Sequence, residues 1–275
     1  MSSPLFASDI DASGGASGAS TLVFLHGFGA SHAAWNGIVS SFADRARTIA
    51  YDLPGHGHSL AFPDAGPPKL AARAILADLA ERGIDRVHVV GHSMGGAIAV
   101  LIGLMAAERV ASLTLLAPGG FGPEINAPLL RRYGAAVEGD EIRACLAAMS
   151  GPQAAIADDT VSFYADTRRQ RGQSEKLCEI AALITKGERQ GEIPRDLIAT
   201  LPMPVAVMWG TGDPVLPQGQ AQGLPPHFTV RIVPGAGHML MAEALADVVA
   251  LIRSQVEATR PDSTTCRPDV FHNPL

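Results

Sequence analysis

Cysteine is scarce: Cys145, Cys178 and Cys266 are the three in 275 residues, widely spaced and without a CxxC pair. Neither a disulfide framework nor a cysteine-based zinc site is suggested by such a pattern. Long apolar runs are also lacking, and every run falls well short of the roughly 20 residues that span a bilayer. The N-terminus carries no basic stretch leading into an apolar one, so we read neither a signal peptide nor a transmembrane helix. Basic clusters are missing as well. With 21 Lys and Arg against 27 Asp and Glu the formal charge is -6, which argues against nucleic acid or an anionic membrane surface as the main partner. A cytoplasmic chain is the expectation.

What the chain does have is apolar material, 47% of its residues, enough for one sizeable core. Its organising stretch is Val87-His88-Val89-Val90-Gly91-His92-Ser93-Met94-Gly95-Gly96, a β-branched run ending in Gly-x-Ser-x-Gly. This reads as strand, sharp turn and helix. A serine at such a turn sits in a strained conformation that lifts its hydroxyl clear of the sheet. The turn closes only if the residues two before and two after it are very small, as Gly91 and Gly95 are. The helix that follows, about Met94 to Ala107, offers free backbone N–H groups beside the hydroxyl, and that of Met94 is the natural first donor to an oxyanion.

Taken in order, residues 1 to 20 are rich in Ser, Ala and Gly and read as a flexible segment with at most one short edge strand. Thr21–Leu25 is a buried strand running into His26-Gly27-Phe28-Gly29. The backbone N–H of Phe28 is the expected second oxyanion donor, because the adjacent glycine lets it turn inward. His26 is expected chiefly to tie down this loop, and His26, Gly27, His92 and Phe121 are the candidates for contact with substrate. A helix around Ala33 to Phe42 precedes the strand Arg47–Tyr51 and a tight loop, Asp52-Leu53-Pro54-Gly55-His56-Gly57-His58-Ser59. His56 and His58 form an isolated HxH without further ligands at suitable spacing, so no metal site is expected. Lys69 to Arg82 has helical apolar spacing and Gly83 where such a helix ends. With the strand Leu113–Leu116, the alternation of strand and helix predicts a mostly parallel sheet covered on both faces.

From 119 to 201 the strand signal gives way to amphipathic stretches, Ala127 to Val137, Glu141 to Met149, Asp159 to Arg169 and Ser174 to Arg189, which read as a helical cap inserted into a core of 21–118 and 202–258. The sheet resumes at Pro204–Gly210, and Asp213 stands in the loop beyond it. A last strand, Thr229–Val233, leads to Pro234-Gly235-Ala236-Gly237-His238. The 25 residues from Asp213 to His238 hold one short helix and one strand, so both loops open on the same side of the sheet. Ser93 as nucleophile, His238 as base and Asp213 as the group that orients it follow from that placement. Glu124, after the preceding strand, is the reserve acid. A final helix of about Met241 to Ala258 precedes a Pro-rich, polar tail, 259–275, read as flexible.

These motifs together, with Trp209-Gly210-Thr211-Gly212-Asp213 and Gly235-Ala236-Gly237-His238, resemble the α/β-hydrolase superfamily over about residues 21 to 258. The resemblance implies an α/β-hydrolase fold and a Ser-His-Asp triad at Ser93, His238 and Asp213. The serine separates the chain from haloalkane dehalogenases and epoxide hydrolases, which carry aspartate there. Within the superfamily, Leu116-Ala117-Pro118-Gly119-Gly120-Phe121-Gly122-Pro123-Glu124-Ile125-Asn126 looks like the hydrolase-like module of acetoin dehydrogenase acyltransferase subunits. None of Lys69, Lys176 or Lys186 lies in a lipoylation-like setting, so a free-standing relative is expected. The loop after His26-Gly27 lacks the Gly-Pro-Gly run that meta-cleavage hydrolases often show. The expected function is a cofactor-free serine hydrolase of a small or medium ester or thioester, acting through an acyl-enzyme on Ser93 with a small acyl compound as its partner. An acyltransferase, a C–C bond hydrolase and a non-catalytic ligand-binding protein are the alternatives. The pattern sets no oligomeric state.

Overall fold

The computed structural model describes residues 5–13, 20–63 and 65–259. Seven strands form one sheet: β1 (Ala7–Ile10), β2 (Ser20–Leu25), β3 (Ala46–Tyr51), β4 (Val87–His92), β5 (Val110–Leu116), β6 (Val205–Gly210) and β7 (Thr229–Val233). They lie in the order β1-β3-β2-β4-β5-β6-β7. Only β1 runs antiparallel, pairing Ala7 with Tyr51 at the edge. The inner strands β4, β5 and β6 are buried at every position, as expected for parallel strands covered on both faces. The edge strand β7 is exposed over its first three residues.

Helices supply the two covers. On one side α2 (Pro68–Glu81) packs on α3 (Met94–Met105), and α3 on β4 and β5; on the other, α10 (Leu245–Ala258) packs on β5, β6 and α1 (Asn36–Val39). Helix α2 begins with proline at its first position and ends at Gly83, φ +67°. There Ile84 N–H reaches Leu79 O at 2.9 Å and Gly83 N–H reaches Ala80 O at 3.0 Å, the paired closure that a left-handed glycine permits. The segment from Ala33 to Phe42 is not one helix but three short pieces, His32–Trp35, Asn36–Val39 and Ser40–Phe42. The last helix is likewise interrupted, at Ala244, into α9 (Leu240–Glu243) and α10.

Between β5 and β6 lie α4 (Ala127–Ala135), α5 (Gly139–Met149), α6 (Asp158–Arg169), α7 (Gln173–Ile184) and the short α8 (Arg195–Ala199). Asn126 starts α4 by accepting Leu129 N–H on its side chain at 3.1 Å. Helix α4 packs against α5 and α7, and α6 bridges α5 and α7. The stretch expected to stay helical to Arg189 stops at Ile184. Thr185 folds its hydroxyl back to Ala181 O at 2.6 Å, and Gly187 takes φ +63° in the turn that follows. No helix among the described residues is long and apolar enough to cross a membrane. Cys145 is buried and Cys178 exposed, while Cys266 and the tail from 260 lie outside the described residues.

The tightest packing is where α3 leaves β4. A Cβ on Gly91 would run into Gly95 O, one on Gly95 into Leu25 O and His26 O, and one on Gly96 would stand 2.8 Å from Pro118 Cβ. Gly95→Ala is therefore expected to lose at least the ~1–3 kcal/mol typical of overpacking, read as a lowered urea midpoint, whereas Gly219→Ala, in open space, should stay near wild type.

Candidate active site

Ser93 sits between β4 and α3 with φ 53° and ψ −117°, a conformation that costs a non-glycine residue about 1–3 kcal/mol and persists only where the surroundings over-determine it. They do so here through both of its backbone groups. Ser93 N–H donates to Leu116 O at 2.9 Å, and Ser93 O accepts from Gly96 and Gly119, each at 2.9 Å. The side chain is left half-buried in a stretch whose neighbours are buried.

Asp213 and His238 come from the loops after β6 and β7, and His238 Nδ1 meets Asp213 Oδ2 at 2.8 Å. The second carboxylate oxygen, Oδ1, accepts Val215 N–H and Leu216 N–H at 2.9 Å each. Burial opposes the charged form of Asp213, but the His238 ring and these backbone donors outweigh it and hold its pKa below the ordinary carboxylate value. An anionic Asp213 keeps the proton on Nδ1 and so leaves Nε2 as the basic nitrogen. His238 and Ser93 line one small enclosed space together. Glu124, the reserve acid, is not brought to His238; its backbone pairs with Arg189 and its carbonyl accepts from Gln220 Nε2 at 2.7 Å.

The loop after β2 is pinned from beneath. Leu53 N–H donates to His26 Nε2 at 2.9 Å, so the proton is on Nδ1, which donates to Gly27 O at 2.7 Å. Gly29 N–H donates to His56 Nε2 at 3.1 Å, and Ala30 N–H to Gly27 O at 3.2 Å. With these donors committed, Phe28 is the residue of the loop that borders Ser93 and Met94 in a cavity.

The expectation of substrate contact fails at two of its four positions. His26 is wholly buried with both ring nitrogens used on backbone. Phe121 is 1% exposed, packed edge-on to Trp209 and under the Arg195 guanidinium. Its sequence neighbours Gly119 and Gly120 face the cavity instead. Gly27 and His92 do border the small space beside Ser93. His92 Nε2–H donates to His238 O at 2.9 Å, and its Nδ1 is buried without a partner. Burial, reinforced by the nearby His238 ring, pushes the His92 pKa down to about 3, so it is a neutral prop for the His238 loop.

His32, Asp52 and His58 bring potential metal-ligand atoms within 4.8 Å of one another. In each ring Nδ1 lies at hydrogen-bond distance from an Asp52 oxygen, 2.7 Å for His32 and 2.9 Å for His58, and both backbone N–H groups also donate to that carboxylate. This arrangement accounts for the buried anion through hydrogen bonds. His56 faces away from it, toward Gly29.

Two cavities meet at Ser93. The larger, about 440 Å3, runs from Met94 along apolar side chains of α3, α7 and the segment after α7, with Lys69 and Glu192 also on its lining. The smaller, about 20 Å3, is enclosed by Ser93, His92, His238 and residues of α4 to α6, notably Tyr133 and Tyr164. The inserted helices thus wall both spaces. Sequence reasoning missed the groups that set these walls. Glu243 accepts Gly237 N–H at 2.8 Å, Met239 N–H at 3.0 Å and Gly151 N–H at 2.7 Å, lashing the His238 loop to the end of α5. Gln190 accepts Gly120 N–H at 3.0 Å and donates to Gly122 O at 2.8 Å, shaping the loop after β5. Arg168 is buried with its guanidinium 4.8 Å from the Tyr133 ring centre. Arg168 is signalled as a polar residue on the apolar face of α6 and Glu243 as an acid close after the His238 loop, whereas Gln190, outside any helix, carries no such signal.

Four buried histidines hold their protons weakly. Burial is the main cause at each, and it lowers His26 and His88 to about 4 and His56 and His92 to about 3. The unfolded chain, with histidines near 6.5, binds more protons than the folded one between about pH 4 and 6.5, so stability falls as pH drops through that window. Each histidine contributes up to ~1.4 kcal/mol per pH unit. The urea midpoint is expected to fall steeply from pH 7 to 5, with linked uptake of more than two protons, and a flat midpoint would contradict buried neutral rings.

Comparison with known proteins agrees with this fold. A model described as the alpha/beta hydrolase family matches residues 22–251. The dihydrolipoyllysine-residue acetyltransferase component of the acetoin cleaving system of Cupriavidus necator is 32% identical over 87% of this chain and 64% of its own length. This chain therefore spans less than two thirds of that relative. A 2-hydroxy-6-oxononadienedioate/2-hydroxy-6-oxononatrienedioate hydrolase of Cupriavidus pinatubonensis is 28% identical over 73% of each chain. Among solved structures, a meta-cleavage product hydrolase of Pseudomonas fluorescens superposes with a TM-score of 0.79 at 18% identity, covering 93% of this chain and 95% of the other. A strained serine after β4, a carboxylate after β6, a histidine after β7 and a match over most of its length make this chain a member of the alpha/beta hydrolase family.

Proposed function

We propose that the protein is a serine hydrolase that cleaves a small or medium carboxylic ester or thioester through an acyl-enzyme. The observation that carries the reading is the Asp213–His238 pair at 2.8 Å bordering the same space as a serine held at φ 53°. Ser93 Oγ attacks the carbonyl carbon while His238 Nε2 accepts its proton. The N–H groups of Phe28 and Met94 receive the developing oxyanion, with the N-terminal end of α3 adding its dipole. His238 then protonates the leaving group, and water repeats the sequence in reverse to release the acid. The inserted helices act as the cap that sets substrate size. No step draws on a metal or an organic cofactor.

Acyl transfer is the second reading, favoured by the 32% identity to the acetoin-system acetyltransferase component. It would use the same three residues and differ in which nucleophile reaches the acyl-enzyme. C–C bond hydrolysis draws support from the relative that acts on an oxononadienedioate.

A fluorophosphonate probe is expected to add stoichiometrically to Ser93, mapped by mass, and to fail with Ser93→Ala and His238→Ala. Asp213→Asn should depress turnover by about 10⁴, as the wrong His238 tautomer becomes favoured. An unmodified Ser93 in the wild-type protein would remove the nucleophile assignment.

A further inference from the structure

The two cavities differ in size and in which part of the machinery they reach, and this asymmetry orients the substrate. The large one, about 440 Å3, contains Ser93 and Met94 and is walled by apolar groups such as Ala97, Leu101 and Ile193. Its volume is in the range that encloses a whole small ligand. The small one, about 20 Å3, contains Ser93 and His238 and has room for about one water-sized group. His238 borders the small space and not the large one.

Chemistry decides which half of an ester goes where. The oxygen of the departing alcohol must come within hydrogen-bond reach of His238 to take its proton. That oxygen and its alkyl group therefore belong on the His238 side, and the acyl chain extends past Met94 into the large space. Resting on the hydrolase reading above, we infer that this site takes esters of a medium-length apolar carboxylic acid with a very small alcohol, such as methyl esters, and that the small space is also where the hydrolytic water enters. In the first step the Cacyl–Oγ bond to Ser93 forms, the acyl–alkoxy C–O bond breaks, and the Oγ proton passes through His238 Nε2 to the leaving oxygen, releasing methanol. In the second, water forms the new C–O bond, its proton passes through Nε2 to Ser93 Oγ as the acyl–Oγ bond breaks, and the free acid departs. A nucleophile much larger than water has no room beside His238, so hydrolysis outcompetes transfer to a bulky thiol or alcohol.

Constitutional isomers separate the orientation from hydrophobicity. Methyl heptanoate and hexyl acetate have the same atoms, with the long chain on the acyl side in one and on the alcohol side in the other. In a pH-stat assay, kcat/KM is expected to favour methyl heptanoate by about tenfold or more, a difference of ~1.4 kcal/mol in transition-state binding. Equal rates, or preference for hexyl acetate, overturn the inference. So does turnover of neither ester by a protein whose Ser93 is labelled by a fluorophosphonate, which would leave the nucleophile in place with a different substrate class. Loss of both turnover and labelling would instead strike the hydrolase reading itself, and the inference with it. Ala97→Leu gives an independent check by filling the large space. It should raise the methyl butanoate to methyl heptanoate ratio of kcat/KM about tenfold, and an unmoved ratio would show that the acyl chain lies elsewhere.

Discussion

The contact on which the rest depends is the approach of α3 to the sheet at Gly91 and Gly95. Backbone meets backbone there, since carbonyls of β2 and of α3 itself stand where side chains would be. That closeness bends the chain sharply enough to hold Ser93 at φ 53°, and it places the N-terminus of α3 next to the loop that follows β2. The strain is held by bonds from Leu116, Gly96 and Gly119, so the sheet interior and the start of the inserted segment both fix one serine. Backbone atoms cannot change rotamer to relieve a clash, which makes this region stiff in a way that an apolar side-chain core is not.

Around that fixed point the supporting polar groups are mostly inward-facing and neutral. His26, His56 and His92 each use a ring nitrogen to secure a loop that borders the site. Burial keeps them uncharged, and the charged groups near them are two carboxylates with several donors and, beside His56, the Arg168 guanidinium. Asp52 and Asp213 are both held below their ordinary pKa despite burial, by ring and backbone N–H groups. Asp52 joins the chain on either side of β3, while Asp213 orients His238. Glu243 extends the same logic to the segment inserted between β5 and β6, since its carboxylate is shared between the His238 loop and Gly151. The end of α5 and the His238 loop are thus held together by shared hydrogen bonds.

Much of this was legible in the sequence, because the constraints concerned were local. A β-branched run followed by Gly-x-Ser-x-Gly admits few backbone paths, and the alternation of strand with helix dictates a covered parallel sheet. Asp213 and His238 were identifiable because short connections between parallel strands deliver their loops to one edge. Errors arose where a boundary or a contact depended on distant partners. The helix expected through Arg189 stops at Ile184 because Thr185 and Gly187 end it. Phe121 turns inward onto Trp209, and His26 lies beneath its loop, because the β6 side of the sheet and the Asp52–Ser59 loop offer partners hundreds of possible pairings could not single out.

The sequence by itself determined the family, the order of elements, the elbow and the identity of the residues that converge on it, since period, turn chemistry and glycine placement are properties of short segments. Tertiary structure alone decided the two unequal spaces on either side of Ser93, the service of Glu243 and Gln190 as loop clamps, and the withdrawal of His26 and Phe121 from the lining. Those features come from how the helices of the insertion pack on one another and meet the loops at the strand ends. Helix-to-helix registry depends on the summed fit of many side chains and not on any one of them, so no local pattern encodes it.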